Sequence, residues 1–345
     1  MRYKFLFVAI STAFFTLTSC HSKSDQPLPT GPREISFSLG GEFADVTYEP
    51  LSRAANPAKY YAMNISRRSH PSKPGENYEP YAYGVFDNID DMKITLSPEY
   101  TYKFECTSLL EDKQQIAKID DGKGGVFMFP FCIRDTKGYS LDNLNEFVFS
   151  ETEYMPELSR GKSTVTDGDV DENGFATKYK NVDFHPSQMR YYGVVEDYTL
   201  NALNSVSIPL LSVSFGLKIV IPQMPEGSIK ITDNQNYLEP IIIEASQSEP
   251  NKVESITKYA LDDAPTWIAE APSHNKQFLL TFEWTKDNGS KKSAVQPIEV
   301  RRNTLSVITI NLANIDREIS FDITEEAGLS AIEGDKYTNV DVTIK

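Results

Sequence analysis

Asp167, Asp169 and Asp171 alternate along Asp167-Gly168-Asp169-Val170-Asp171, a spacing that lets a loop offer three carboxylates to a hard cation such as calcium. Glu172 stands where such a loop turns on glycine, and Lys178 stands where its bidentate acid belongs. The stretch therefore reads first as a solvated acidic loop and only second as a calcium site. The four histidines, His21, His70, His185 and His274, lie in polar or Pro-containing stretches, with no Cys or carboxylate at metal-ligand spacing. Cys106 and Cys132 could pair in an oxidising compartment or stay as two buried thiols; sequence does not fix their distance. The chain has no Gly-x-Ser-x-Gly elbow, no Gly-rich phosphate loop and no His-Glu-x-x-His helix. With 49 acidic residues, a carboxylate pair does not single out glycoside hydrolysis. Neither catalysis nor a cofactor is expected.

One residue does carry a chemical expectation. Arg2 and Lys4 precede an apolar run from Phe5 to Leu17, which ends in Leu17-Thr18-Ser19-Cys20. The run is too short for a spanning helix and has the layout of an export signal. Its ending resembles the bacterial lipobox, in which the Cys thiol is acylated and the signal is cut before it. Each buried methylene of such an anchor contributes about 0.8 kcal/mol, so several acyl chains hold far better than one. An ordinary secretory signal with an incidental Cys is the other reading. Residues 1–20 are thus expected to be a signal and 21–34 a polar tether. A net charge of -15 and the lack of any Lys/Arg-rich run argue against a nucleic-acid partner.

The elements that must position any site are strands. Period-2 alternation recurs at Ile35-Phe37-Leu39, Tyr61-Met63-Ile65, Met92-Ile94-Leu96 and Tyr100-Tyr102-Phe104-Cys106. It returns at Ile229-Ile231, Ile241 to Ile243, Leu280-Phe282-Trp284, Ser306-Ile308-Ile310-Leu312 and Val340-Val342-Ile344. The longest run, Leu211 to Ile219, predicts one half-buried antiparallel strand with Leu211, Val213, Phe215, Leu217 and Ile219 inward. Asn288-Gly289 predicts a tight hairpin turn with positive φ angles. Only Asp142 to Phe147 and Glu325 to Ala331 suggest short helices. Pro and Gly at short intervals favour sandwiches, so an all-β chain of two domains in tandem is expected, 35–203 and 204–345. The clusters Tyr78-Glu79-Pro80-Tyr81-Ala82-Tyr83 and Tyr191-Tyr192 could stack sugars, although ordinary core packing is their first reading.

Several short motifs together resemble the fimbrillin family, the lipoprotein-derived fimbrial subunits of Bacteroidales. They are the lipobox and tether, Leu51-Ser52-Arg53-Ala54-Ala55, and the strand Lys59-Tyr60-Tyr61-Ala62-Met63-Asn64-Ile65. Tyr81-Ala82-Tyr83-Gly84-Val85-Phe86-Asp87, Met189-Arg190-Tyr191-Tyr192-Gly193, Phe215-Gly216-Leu217-Lys218 and Arg302-Asn303-Thr304-Leu305 follow. The resemblance implies two transthyretin-like β-sandwiches and no enzyme activity. It implies transport to the outer membrane by the lipid, then cutting after an Arg that removes the first strand and opens a groove. A strand from another subunit would fill that groove, satisfying unpaired backbone groups while burying alternate side chains. Arg53 matches the expected cut best; a cut at Arg33 would release the lipid and keep the first strand. Partners implied are other fimbrial subunits, the outer membrane through the lipid, and a host or bacterial surface ligand. The last segment, Tyr337 to Lys345, is either the donor strand or a strand of its own sandwich, the latter by default. A lipid-anchored, glycan-binding surface protein is the alternative reading.

Overall fold

The computed structural model describes residues 30–42, 58–111, 118–120, 126–128, 133–135, 144–149, 155–156, 158–159, 161, 163–165, 182–184, 189–235, 238–245, 253–271, 273–312, 320–327 and 339–340. The described elements begin with β1 (Arg33–Gly41), β2 (Ala58–Ser69), β3 (Glu79–Phe86), β4 (Lys93–Leu96) and β5 (Tyr100–Glu111). Short strands follow: β6 (Lys118–Asp120), β7 (Val126–Met128), β8 (Ile133–Asp135), β9 (Glu146–Phe149), β10 (Ser163–Val165) and β11 (Val182–Phe184). Then come β12 (Met189–Thr199), β13 (Ser205–Ser212), β14 (Ser214–Ile221), β15 (Ser228–Asp233), β16 (Ile241–Glu244) and β17 (Val253–Ala260). A six-residue helix, α1 (Ala264–Ala269), precedes β18 (Lys276–Thr285), β19 (Lys291–Val300), β20 (Thr304–Asn311), β21 (Ser320–Ala327) and β22 (Asn339–Val340). The fold is all-β, as the alternation predicts. No described helix is long and apolar enough to cross a membrane.

The first eight-stranded arrangement has the order β4-β1-β13-β12-β5-β2-β3-β9. It folds into two layers because β13 changes partner along its length. Ser205 to Leu210 pair in parallel with β1, whereas Leu211 and Ser212 pair antiparallel with Tyr192 and Tyr191 of β12. Ile35 and Phe37 of β1, Ile94 and Leu96 of β4, and Val206, Ile208 and Leu210 of β13 meet Met63, Ile65, Tyr102, Phe104 and Tyr191 in one buried cluster. That is face-to-face sheet packing. A second sandwich stacks the sheet β17-β14-β20-β21-β22 on β16-β15-β18-β19. Its core joins Phe215, Leu217, Ile219, Ile308 and Ile310 to Ile229, Ile231, Phe278, Phe282, Trp284 and Ile298. Strand β20 serves both cores, since Leu305 and Val307 on its other face join the first cluster.

Several expectations are corrected. Leu211 to Ile219 is not one strand: the chain passes between sandwiches at Val213, whose N–H donates to the Arg190 carbonyl and whose carbonyl accepts from Leu261 N–H. The expected wet face is closed there too, because Ser212 and Ser214 are fully buried. Strand β14 is antiparallel to β17 but parallel to β20. Where the described residues overlap the two expected helices, at 146–147 and 325–327, they are strand. Glu146 to Phe149 pair with β3, and Ser320 to Ala327 pair along the whole of β20, so neighbouring ladders override local preference. The α-helix among the described residues, α1, is too short to show a period. At the β18–β19 hairpin, Gly289 has φ +81° while Asn288 is not among the positive-φ residues. Gly289 N–H donates to the Lys286 carbonyl, and Lys286 N–H donates to that of Ser290. The turn is therefore longer than a two-residue one, with glycine alone in the left-handed position.

Candidate functional site

The site with an unusual placement is the seat of β1. A first strand is free to lie at a sheet edge, yet β1 lies between β4 and β13, which do not pair with each other. Ile35 stands opposite Ile94 in the antiparallel ladder to β4. On the other side Phe37 stands opposite Val206, and Leu39 opposite Ile208. Ser36, Ser38 and the paired Ser205 and Ser207 face outward, so sequence periodicity alone decides which side chains enter the core. Phe37 meets Phe104 edge-on at 5.2 Å between ring centroids and Phe147 at 6.2 Å. Without β1, two strand edges would lose their ladder and a row of apolar pockets would open to water. The geometry is that of a filled groove, and what it can do chemically is hold an extended chain.

The far end of the strand has its own contacts. Gly41 has φ +71°, and a Cβ there would lie 2.7 Å from the Leu210 carbonyl oxygen, so only glycine fits without a shift. This turn delivers Glu42 to the crossover between the sandwiches. Its carboxylate accepts from Ser212 N–H at 2.8 Å and from Arg302 Nη1 at 3.1 Å. Arg302 Nη1 also lies 3.2 Å from the Ser212 carbonyl. Glu42 and Arg302 are 260 residues apart, and neither carries a pattern that reveals the pair in sequence.

The other expected residues fall variously. Arg33 opens β1 and pairs with Leu96. Cys106 is a free thiol, fully buried in β5, and burial foremost pushes its pKa well up, with the nearby Glu105 adding to it. Cys20, Arg53, Cys132, Asp167, Asp169 and Asp171 lie outside the described residues. Among the described residues no group of three or more His, Cys, Asp or Glu could hold a metal. His274 pairs with Glu270 at 2.7 Å, and its ring meets Trp267 edge-on. Asn339 and Val340, from the C-terminal segment, pair with Thr324 and Ile323 of β21 in the chain's own sheet.

The tyrosine clusters are engaged in core packing and in contacts with cations. Tyr191 and Tyr192 are both buried, in different clusters, which alternation along β12 requires. Tyr192 donates to Glu105 at 2.7 Å, and burial followed by that carboxylate pushes its pKa up. The Arg67 guanidinium lies over the rings of Tyr81 and Tyr100 at 4.4 and 4.2 Å, and Arg68 lies over Tyr78 at 4.6 Å. A cation thus covers one face of each of these three rings. Tyr78 and Arg68 also both donate to Asp197, whose carboxyl the tyrosine holds below the usual range.

No protein-family model and no curated protein matches the chain. Among solved structures, the chain is similar to the tip fimbrial protein Mfa3 from Porphyromonas gingivalis with C-terminal truncation. The identity is 11% and the TM-score 0.35, over 84% of this chain and 99% of that one. It is also similar to the fimbrial anchor protein Mfa2 from Porphyromonas gingivalis, with 10% identity and TM-score 0.30, over 86% of this chain and 98% of that one. A fimbrial assembly protein from Parabacteroides distasonis gives 11% identity and TM-score 0.31, over 90% of this chain and 99% of that one.

Proposed function

We propose that the chain is a structural or adhesive subunit of a cell-surface fimbrium, exported as an outer-membrane lipoprotein through Cys20 and assembled by strand exchange in the β1 seat. The observation that carries this is β1 itself: an N-terminal strand set between β4 and β13, with Ile35 and Phe37 in the core and Leu39 packed against it. The two candidate cuts then have different consequences. A cut after Arg53 puts β1 and Glu42 on the released piece and frees the groove for a strand from another subunit. A cut after Arg33 frees only the tether and leaves the groove filled. Arg53 is therefore the assembly cut in this reading, and 35–203 and 204–345 are its tandem domains, with the strand Ser205–Ser212 still sharing the first sandwich. Mass spectrometry of the native N-terminus, in whole cells and in a sheared surface fraction, tests it. Expected are lipidated Cys20 on the precursor and a start at Ala54 in the polymer. A single lipidated form, absent from every sheared fraction and oligomer, would overturn the proposal.

A further inference from the structure

The contacts of Glu42 add a chemical requirement to the groove, resting on the reading of β1 as exchangeable. We infer that the seat selects its occupant by charge: an entering strand must carry a carboxylate where Glu42 now lies, to meet Arg302 of the second sandwich. Three features of the end of the seat lead there.

First, Arg302 is mostly covered, its side chain 18% exposed and that of Glu42 28%. A guanidinium so placed is costly to leave without its carboxylate, because it has already lost much of its water. Second, the Ser212 peptide is held from both sides, its carbonyl by Arg302 and its N–H by Glu42. When β1 leaves, that N–H loses its acceptor and Arg302 loses its counter-charge together. Third, Gly41 makes the geometry specific. Its left-handed φ and its approach to Leu210 turn the chain out of the ladder with Ser205 to Leu210 and toward Arg302.

The occupant is thus defined by pattern. It is an extended segment with apolar side chains where Ile35, Phe37 and Leu39 lie, a glycine two residues after the last of these, and Asp or Glu next. The apolar positions supply affinity through burial, and strands of that kind are common. The acid is the discriminating element, since a neutral end leaves Arg302 without a counter-charge and a basic end repels it.

The test uses the full chain carrying one added site-specific protease sequence between residues 43 and 57. After cutting, labelled peptides of residues 33–42, amidated at the C-terminus so that no second carboxylate sits on residue 42, compete for the seat with the retained fragment. A glutamine side chain in place of Glu42 can still accept from Ser212 N–H, so the Glu42→Gln peptide isolates the charge. It should bind about ten-fold more weakly or worse, the range of a charge-assisted contact. On Arg302→Ala protein the native-sequence and Glu42→Gln peptides should bind alike, and a Glu42→Lys peptide should recover affinity on Arg302→Glu protein. Equal binding of the native-sequence and Glu42→Gln peptides to the unsubstituted protein overturns the charge requirement and leaves strand exchange standing. Failure of the native-sequence peptide to enter the seat overturns both. The first comparison alters only the peptide, so misfolding of an Arg302 variant does not obscure it.

Discussion

Phe37→Ala is the most direct probe of whether β1 is held by its core residues. Phe37 is 6% exposed, lies edge-on to Phe104 and is tilted on Phe147, so truncation removes a ring from between two others. Phe-to-Ala changes in a core cost about 3–5 kcal/mol. In the intact chain this loss falls on the first sandwich as a whole and lowers its melting temperature. In protein cut between residues 43 and 57 it falls on the seating of the fragment instead. At about 1.4 kcal/mol per tenfold, the equilibrium for retention should drop by roughly two to three and a half orders of magnitude. Most of that should appear as faster escape, since affinity changes within one interface are carried mainly by dissociation. The assay follows replacement of the cut fragment by an excess of labelled peptide. Ser38→Ala is the control: Ser38 is exposed on the opposite face of the same strand and should change retention by less than about 0.5 kcal/mol. Equal escape rates for Phe37→Ala and the unsubstituted fragment would refute the claim that the inward row holds the strand. Equal effects of Phe37→Ala and Ser38→Ala would refute the assignment of faces.

Three further outcomes follow from particular side chains. A Cβ on Gly193 would lie 2.2 Å from the Pro209 carbonyl oxygen, so Gly193→Ala should destabilise the first sandwich by about 1–3 kcal/mol or more, read by thermal melting. Tyr61 and Tyr102 are pushed up to about 12, chiefly by burial, from 10.0 for the free phenol. The folded state thus keeps protons that the unfolded state loses above pH 10, so stability is full below pH 10 and falls as pH rises through 12. Ultraviolet titration should show these phenols ionising late and with unfolding; complete ionisation near 10 in a folded protein would contradict their burial. Cys106 should resist alkylation in native protein and react fully in denaturant, as mapped by peptide mass spectrometry.

The inward row of β1 was legible in sequence because period 2 fixes which face a residue takes without reference to any partner. Ile35 and Phe37 are buried as that pattern requires. Which strands lie beside β1 was not legible, because Ser36 accepts its neighbours from around Ser205 and Lys93, and alternation carries no address. Glu42 and Arg302 were hidden for the same reason. Gly40-Gly41 at the end of a clean strand was the one local sign that the chain must turn there. For Arg53 and Cys20 the motifs remain the basis of the proposal.

The crossover at Ser212–Val213 shows how a pattern can read cleanly and still mislead. Inward positions are even through Val206, Ile208 and Leu210, and odd from Val213 through Phe215, Leu217 and Ile219. Reading only the odd positions from Leu211 onward produces a continuous strand, because the phase changes just where that reading begins. The adjacent Leu210 and Leu211 mark the change, since two neighbouring residues of one strand cannot share a face. The change of phase lets one chain leave the first sandwich and enter the second without a linker. It also leaves Ser212 at a point where its N–H is met by a side chain from β1's end. The strand proposed to be exchanged and the peptide joining the two sandwiches therefore share one carboxylate. An occupant that fills the apolar pockets but lacks that acid would repair the groove and leave the crossover unrepaired.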